Sequence, residues 1–111
     1  MRELHWSPRE KKIARQAFDE AAMSLLAGIM AEFKAKAAAV SEAGDMWAME
    51  RYLRERRREV EQLLDYRYSQ LLLVFARLIA GGHMREEQLD GLSEDKLSAI
   101  RKTGSRWSDA A

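Results

Sequence analysis

Histidines, carboxylates and arginines are the residues in this chain that can do chemistry, and their spacing limits what chemistry that is. Only two histidines are present, His5 and His83. They are remote in sequence, and neither has a histidine or carboxylate at metal-ligand spacing, which argues against a metal or an acid–base role. With no cysteine there is no thiolate zinc site, disulfide or thiol nucleophile. Carboxylates are plentiful from Glu10 to Asp65. On helices they fall a turn away from arginines, as in Glu50 with Arg54 and Arg51 with Glu55. Such pairs are weak and solvated. No Glu-x-x-His di-iron pattern occurs, and Gly81-Gly82 ends a helical stretch instead of opening one, so there is no phosphate loop. The expectation is a chain with no catalytic residues, no metal and no cofactor.

The arginines are more informative. Met49, Leu53, Val60, Leu64, Leu71, Val74 and Leu78 recur at the spacing of one helix face. Arg57 and Arg67 fall on that same face. A guanidinium on an apolar stripe costs stability unless it is paired or reaches water. So the stripe either makes a polar contact or is partly an interface. Arg57 is expected to be partly buried against Glu50 or an acid between Glu10 and Glu20. The run Arg51, Arg54, Arg56, Arg57, Arg58 has two readings. One is a solvated face tempered by Glu50, Glu55, Glu59 and Glu61; the other is a stripe that tracks phosphates. The five arginines spread around the helix at about 100° per residue, which weakens the second. A formal net charge of +1 weakens it further, so nucleic acid is not the expected partner.

These side chains need elements to hold them. The 111 residues, 47% hydrophobic and 33% charged, fit one folded domain. The N-terminus is polar at once, so no secretory leader is expected. No apolar run reaches the roughly 18 residues of a membrane span. The lack of cysteine suits the cytoplasm. Residues 1–6 are expected to fray. Ser7-Pro8-Arg9-Glu10 reads as a capping box with proline at the first helical position. The helix it opens should run to about residue 39, with Ile13, Phe18, Leu25, Leu26, Ile29, Met30 and Phe33 on one side. A break follows, with Gly44 in the turn and Asp45 as N-cap. One helix from Asp45 to about Ala80 is then expected, ended by Gly81-Gly82. Beyond it, Arg85 to Leu89 forms a short helix. Ser93 caps a last one, Glu94 to Lys102, which Gly104 ends before a loose tail where Trp107 is a candidate for docking.

The predicted fold class is all-α: a long antiparallel helical hairpin forming a homodimeric bundle, with a small C-terminal helical head. Residues 1–111 make one domain, with 1–80 the long-helix dimerisation part and 83–104 the head. A helix pair is a single seam and not a core. A second copy is the simplest cover for it, with two-fold symmetry. Met46, Trp47, Met49, Leu53 and Arg57 are the candidate dimer-interface residues. Trp47 and Tyr52, large aromatics near a helix start, suit either a core or an interface anchor.

From Asp45 to about Ile100 the chain resembles the fluorescence recovery protein family, cyanobacterial regulators of the orange carotenoid protein. The matching pattern is Trp47, Leu53, Arg57, Glu59, Asp65, Arg67 and Ser69, then Val74-Phe75-Ala76, Leu78 and Gly82, with Glu86-Glu87 and Asp95-Lys96 beyond. The resemblance implies a non-enzymatic, all-helical dimer. That dimer binds the C-terminal, NTF2-like domain of the photoactivated carotenoid protein and speeds its return to the orange resting state. It places a functional patch at Trp47 and Arg57 and a dimer-interface position at Met46. It also implies departures. Glu50 and Arg51 stand where the family has histidine and aspartate, and Leu73 where cyanobacterial members carry an aromatic. The partner-binding set is therefore Trp47, Glu50, Arg51, Arg57 and Leu73. The implied partner is an orange carotenoid protein or a related NTF2-like carotenoid-binding protein; Arg51, which reverses a charge in the patch, points instead to another client in a bacterium without phycobilisomes.

Overall fold

The computed structural model describes residues 5–110, with side chains from 5 to 105. All regular structure is helical: α1 (Pro8–Ala38), α2 (Ala43–Leu63), α3 (Leu71–Ala80), a 3-10 turn (Glu86–Leu89) and α4 (Glu94–Ala110). The capping box at the start of α1 forms as its residues require. Ser7 Oγ accepts from the Glu10 amide, and the Glu10 carboxylate accepts from the Ser7 amide, both at 3.1 Å. No proline or glycine turn interrupts the 31 residues that follow.

Burial is uneven along α1. Ala14, Ala17, Phe18 and Ala21 are buried, while Met23 (73% exposed), Leu26 and Met30 are open to solvent. The core joins this first half of α1 to Leu71, Val74, Phe75, Ala76 and Leu78 of α3, then Met84, Leu89, Leu92 and Ile100. The second half of α1 packs mainly against α2, which runs antiparallel to it. Arg56 meets Glu32 at 3.6 Å, and Lys36 sits 5.1 Å from the Tyr52 ring. The molecule is accordingly long and thin, 53 × 30 × 25 Å.

Five expectations need correction. The single helix from Asp45 to Ala80 is two helices, broken over residues 64–70. No glycine or proline lies in that stretch, so the break is imposed by packing. Leu63, Leu64 and Tyr66 turn onto the core, and the Tyr66 ring meets Phe18 edge-on at 4.9 Å. Arg67 leaves the helix stripe and pairs with Asp65 in the bend. The N-cap of α2 is Glu42, not Asp45. Asp45 sits at the third helical position and accepts from the Ser41 and Glu42 amides at 3.1 Å. Gly44 lies inside α2 without a positive φ. The last helix passes Gly104 and continues to Ala110, so the backbone there is no loose tail. Docking of Trp107 lies outside the described side chains.

The fifth correction concerns the start. His5 and Trp6 are held, while residues 1–4 lie outside the described part. Trp6 is buried, stacks at 5.6 Å on Tyr68, and lies under the Lys96 ammonium at 4.9 Å. The Lys96 ammonium also donates to the His5 carbonyl at 2.6 Å. Two turns do need glycine. Gly82 ends α3 with φ +80, and Gly91 has φ +108, with Ile13 Cδ1 only 2.5 Å from where a Cβ would stand. The 3-10 turn is tied to α1 through Gln88, which donates to Glu20 at 2.7 Å.

Candidate functional site

Helix α2 contains no buried residue. An amphipathic helix of 21 residues that buries none of its side chains fully leaves part of its apolar side for something else. Met46 is 54% and Trp47 67% exposed, and Leu53 is also open. With Val40 from the turn, Met46, Met49, Glu50, Leu53, Arg54 and Arg57 line an open groove of about 630 Å³. Sequence periodicity had singled out three of these, Met49, Leu53 and Arg57, and the family resemblance had added Met46 and Glu50. Val40 and Arg54 were not among the candidates. Val40 follows a run of alanines with nothing in its spacing to mark it, and Arg54 read as an ordinary surface pair.

The remaining candidates lie elsewhere. Trp47 and Arg51 are exposed on α2 but do not line the groove. Leu73 is half-buried on α3, away from the groove. Arg57 departs from expectation. Its side chain is 82% exposed and its Nε donates to Glu61 at 3.0 Å, one turn on along α2. Neither Glu50 nor the acids from Glu10 to Glu20 reach it. The reason is that α1 packs against the Tyr52 and Arg56 side of α2, so the stripe carrying Arg57 faces away from α1.

The charges on α2 are mostly settled locally. Arg54 pairs with Glu50, Arg56 with Glu59 and Glu32, and Arg57 with Glu61. Hydrogen bonding and charge from Glu50 hold the Arg54 guanidinium above its ordinary range, and Glu59 does the same for Arg56. Burial raises the Tyr52 phenol, with the Glu32 carboxylate adding to it. The face therefore combines open apolar side chains with charges paired along the helix, which suits it to binding a partner. His83 approaches Ser24 Oγ at 3.5 Å, far along the chain from the His5 backbone. Among the described residues no group of three or more histidines or carboxylates is placed to hold a metal ion. No described helix is long and apolar enough to cross a membrane.

The geometry thus presents an uncovered apolar groove edged by arginines on a two-helix arm, with a compact head at the other end. A family model for the photoprotection regulator fluorescence recovery protein matches residues 6–103. The chain belongs to the fluorescence recovery protein family. It is 32% identical, over 99 residues, to the fluorescence recovery protein of Synechocystis sp. PCC 6803, covering 89% of this chain and 91% of that one. The solved structure of the Fremyella diplosiphon fluorescence recovery protein superposes with a TM-score of 0.86 at 34% identity, over 92% of this chain and 99% of that one. The Synechocystis structure gives a TM-score of 0.86 at 31% identity, over 91% and 99%. As a fluorescence recovery protein family member, the chain is a photoprotection regulator and not an enzyme.

Proposed function

We propose that the chain acts as a cytoplasmic homodimer that binds the C-terminal, NTF2-like domain of a photoactivated orange carotenoid protein, or of a related carotenoid-binding protein. In doing so it speeds the client's return to the orange resting state. The observation that carries this reading is the groove on α2, apolar at Val40, Met46, Met49 and Leu53, which no other described part of the chain covers. A second copy related by two-fold symmetry would bury Met46, Met49 and Leu53, with Trp47 and Arg57 at the margin. Residues 1–80 then supply the dimerisation part of a single domain and 83–104 its head. Trp47, Glu50, Arg51 and Arg57, with Leu73 on α3, are the residues we assign to the client. An exposed indole and a fixed guanidinium fork are the side chains that most often anchor such contacts.

Acceleration requires the dimer to favour the compact form of the client over the open one. A factor that bound both equally would shift nothing. Arg51 favours a second reading, in which the same dimer serves a different protein client in a bacterium without phycobilisomes. Light scattering on a size-exclusion column separates the readings. The chain alone should elute at twice its mass, and a mixture with the carotenoid protein should give a complex. A dimer that never takes up the carotenoid protein would leave the second reading.

A further inference from the structure

We propose, resting on the reading above, that Trp47, Arg51, Arg54 and Arg58 form a separate docking stripe on α2 that selects a protein client with a strip of carboxylates. Successive helical residues turn by about 100°, so these four residues fall within about 60° of arc. Three sides of α2 can then be told apart. Tyr52 and Arg56 meet Lys36 and Glu32 of α1. Met46, Met49 and Leu53 line the groove. Arg51 and Arg58 are on the third side, away from both, and stay open when a second copy covers the groove, while Arg54 stands at the groove's edge and Trp47 at the margin of the interface.

The charges on this side are unusual for the helix. Arg51 and Arg58 are exposed, and among the described residues neither takes part in an ion pair, although Glu55 lies a turn from each. They stand about 10 Å apart along the axis at 1.5 Å per residue. Arg54 lies between them, held by Glu50. Guanidinium groups at this spacing match discrete carboxylates two by two, and the exposed indole of Trp47 gives the line an apolar end. A polyphosphate fits less well. Exposed Glu50 and Glu55 flank the stripe on either side, and a continuous line of phosphates would meet both. A folded protein can place its own cations opposite those two glutamates, which fixes register as well as affinity.

The test uses the NTF2-like carotenoid protein of the same organism, photoactivated, with wild type and the double variant Arg51→Glu/Arg58→Glu. Both changed positions are exposed, and circular dichroism with light scattering checks that fold and dimer persist. Binding by wild type should weaken as salt is raised, and the double variant should lose at least about tenfold in affinity. The variant Arg51→Lys/Arg58→Lys should fall between the two, because lysine keeps the charge without the fork. Equal or tighter binding by the charge-reversed variant would overturn the stripe while leaving the function proposed above intact. Failure of the wild type to bind the carotenoid protein would overturn both. Salt-sensitive binding of wild type to a DNA duplex in its place would assign the stripe to nucleic acid and overturn it as a protein site.

Discussion

Lys96, on α4, donates from its ammonium to both carboxylate oxygens of Glu10, on α1, at 3.1 and 3.2 Å, across 86 residues of sequence. Both side chains are almost fully withdrawn from solvent. The carboxylate also accepts from the amides of Ser7 and Ser93, at 3.1 and 2.9 Å, so one acid joins the first turn of α1 to the first turn of α4. Burial alone would raise the Glu10 pKa. The Ser7 and Ser93 amides and the Lys96 ammonium outweigh it and bring the value down to about 2 from an ordinary 4.5.

The Lys96→Met variant leaves a buried carboxylate without its counter-ion and is expected to lose about 3–5 kcal/mol of stability. Urea denaturation followed by circular dichroism measures it. Because the folded pKa of Glu10 is lowered, its contribution is fully present above pH 4.5 and fades as pH falls toward 2. Glu10→Gln should flatten that acid limb of the stability curve. An unchanged limb would mean that other carboxylates set the acid sensitivity.

Gly91→Ala should destabilise the junction between the head and α1. The residue has φ +108, and an added Cβ would fall 2.5 Å from Ile13 Cδ1. Backbone strain of this kind costs about 1–3 kcal/mol. A denaturation midpoint equal to wild type would show that the turn can relax.

How much of this was legible in the sequence differs from element to element. Ser7-Pro8-Arg9-Glu10 placed the start of α1 to the residue, because an N-terminal cap is a local structure written in local residues. Gly81-Gly82 marked the end of α3 for the same reason. The break over residues 64–70 was not legible. Nothing local stops the helix there, and what stops it is Tyr66 packing on Phe18 and Tyr68 on Trp6, contacts made across more than forty residues of sequence. Trp6 read as frayed for the converse reason: its partners Tyr68 and Lys96 lie far down the chain. On α2 periodicity found the apolar groove but not the exposure of Arg57, since the spacing cannot say which of the helix's sides meets α1.

Met46→Glu should turn the proposed dimer into a monomer. The residue is open to solvent in the single chain, so the charge harms the fold little until a second copy covers it. Light scattering gives the mass directly. A wild type that is itself monomeric at micromolar concentration would remove the motive for the interface.

Arg57→Leu should leave stability within about 0.5 kcal/mol of wild type, because an 82% exposed side chain paired along its own helix contributes little. Client binding should weaken, with the loss seen mainly in faster dissociation. A large drop in the thermal midpoint would give Arg57 a structural role that its exposure argues against.

The central claim is that the uncovered face of α2 serves the recovery of a carotenoid protein. The direct measurement is the dark return of orange absorption after photoactivation, followed with and without the chain. Wild type should accelerate the return, and Trp47→Ala combined with Arg57→Leu should abolish the acceleration while circular dichroism stays unchanged. Wild-type acceleration that survives the double substitution would contradict the assignment of the site, and a folded dimer that never changes the rate would contradict the function.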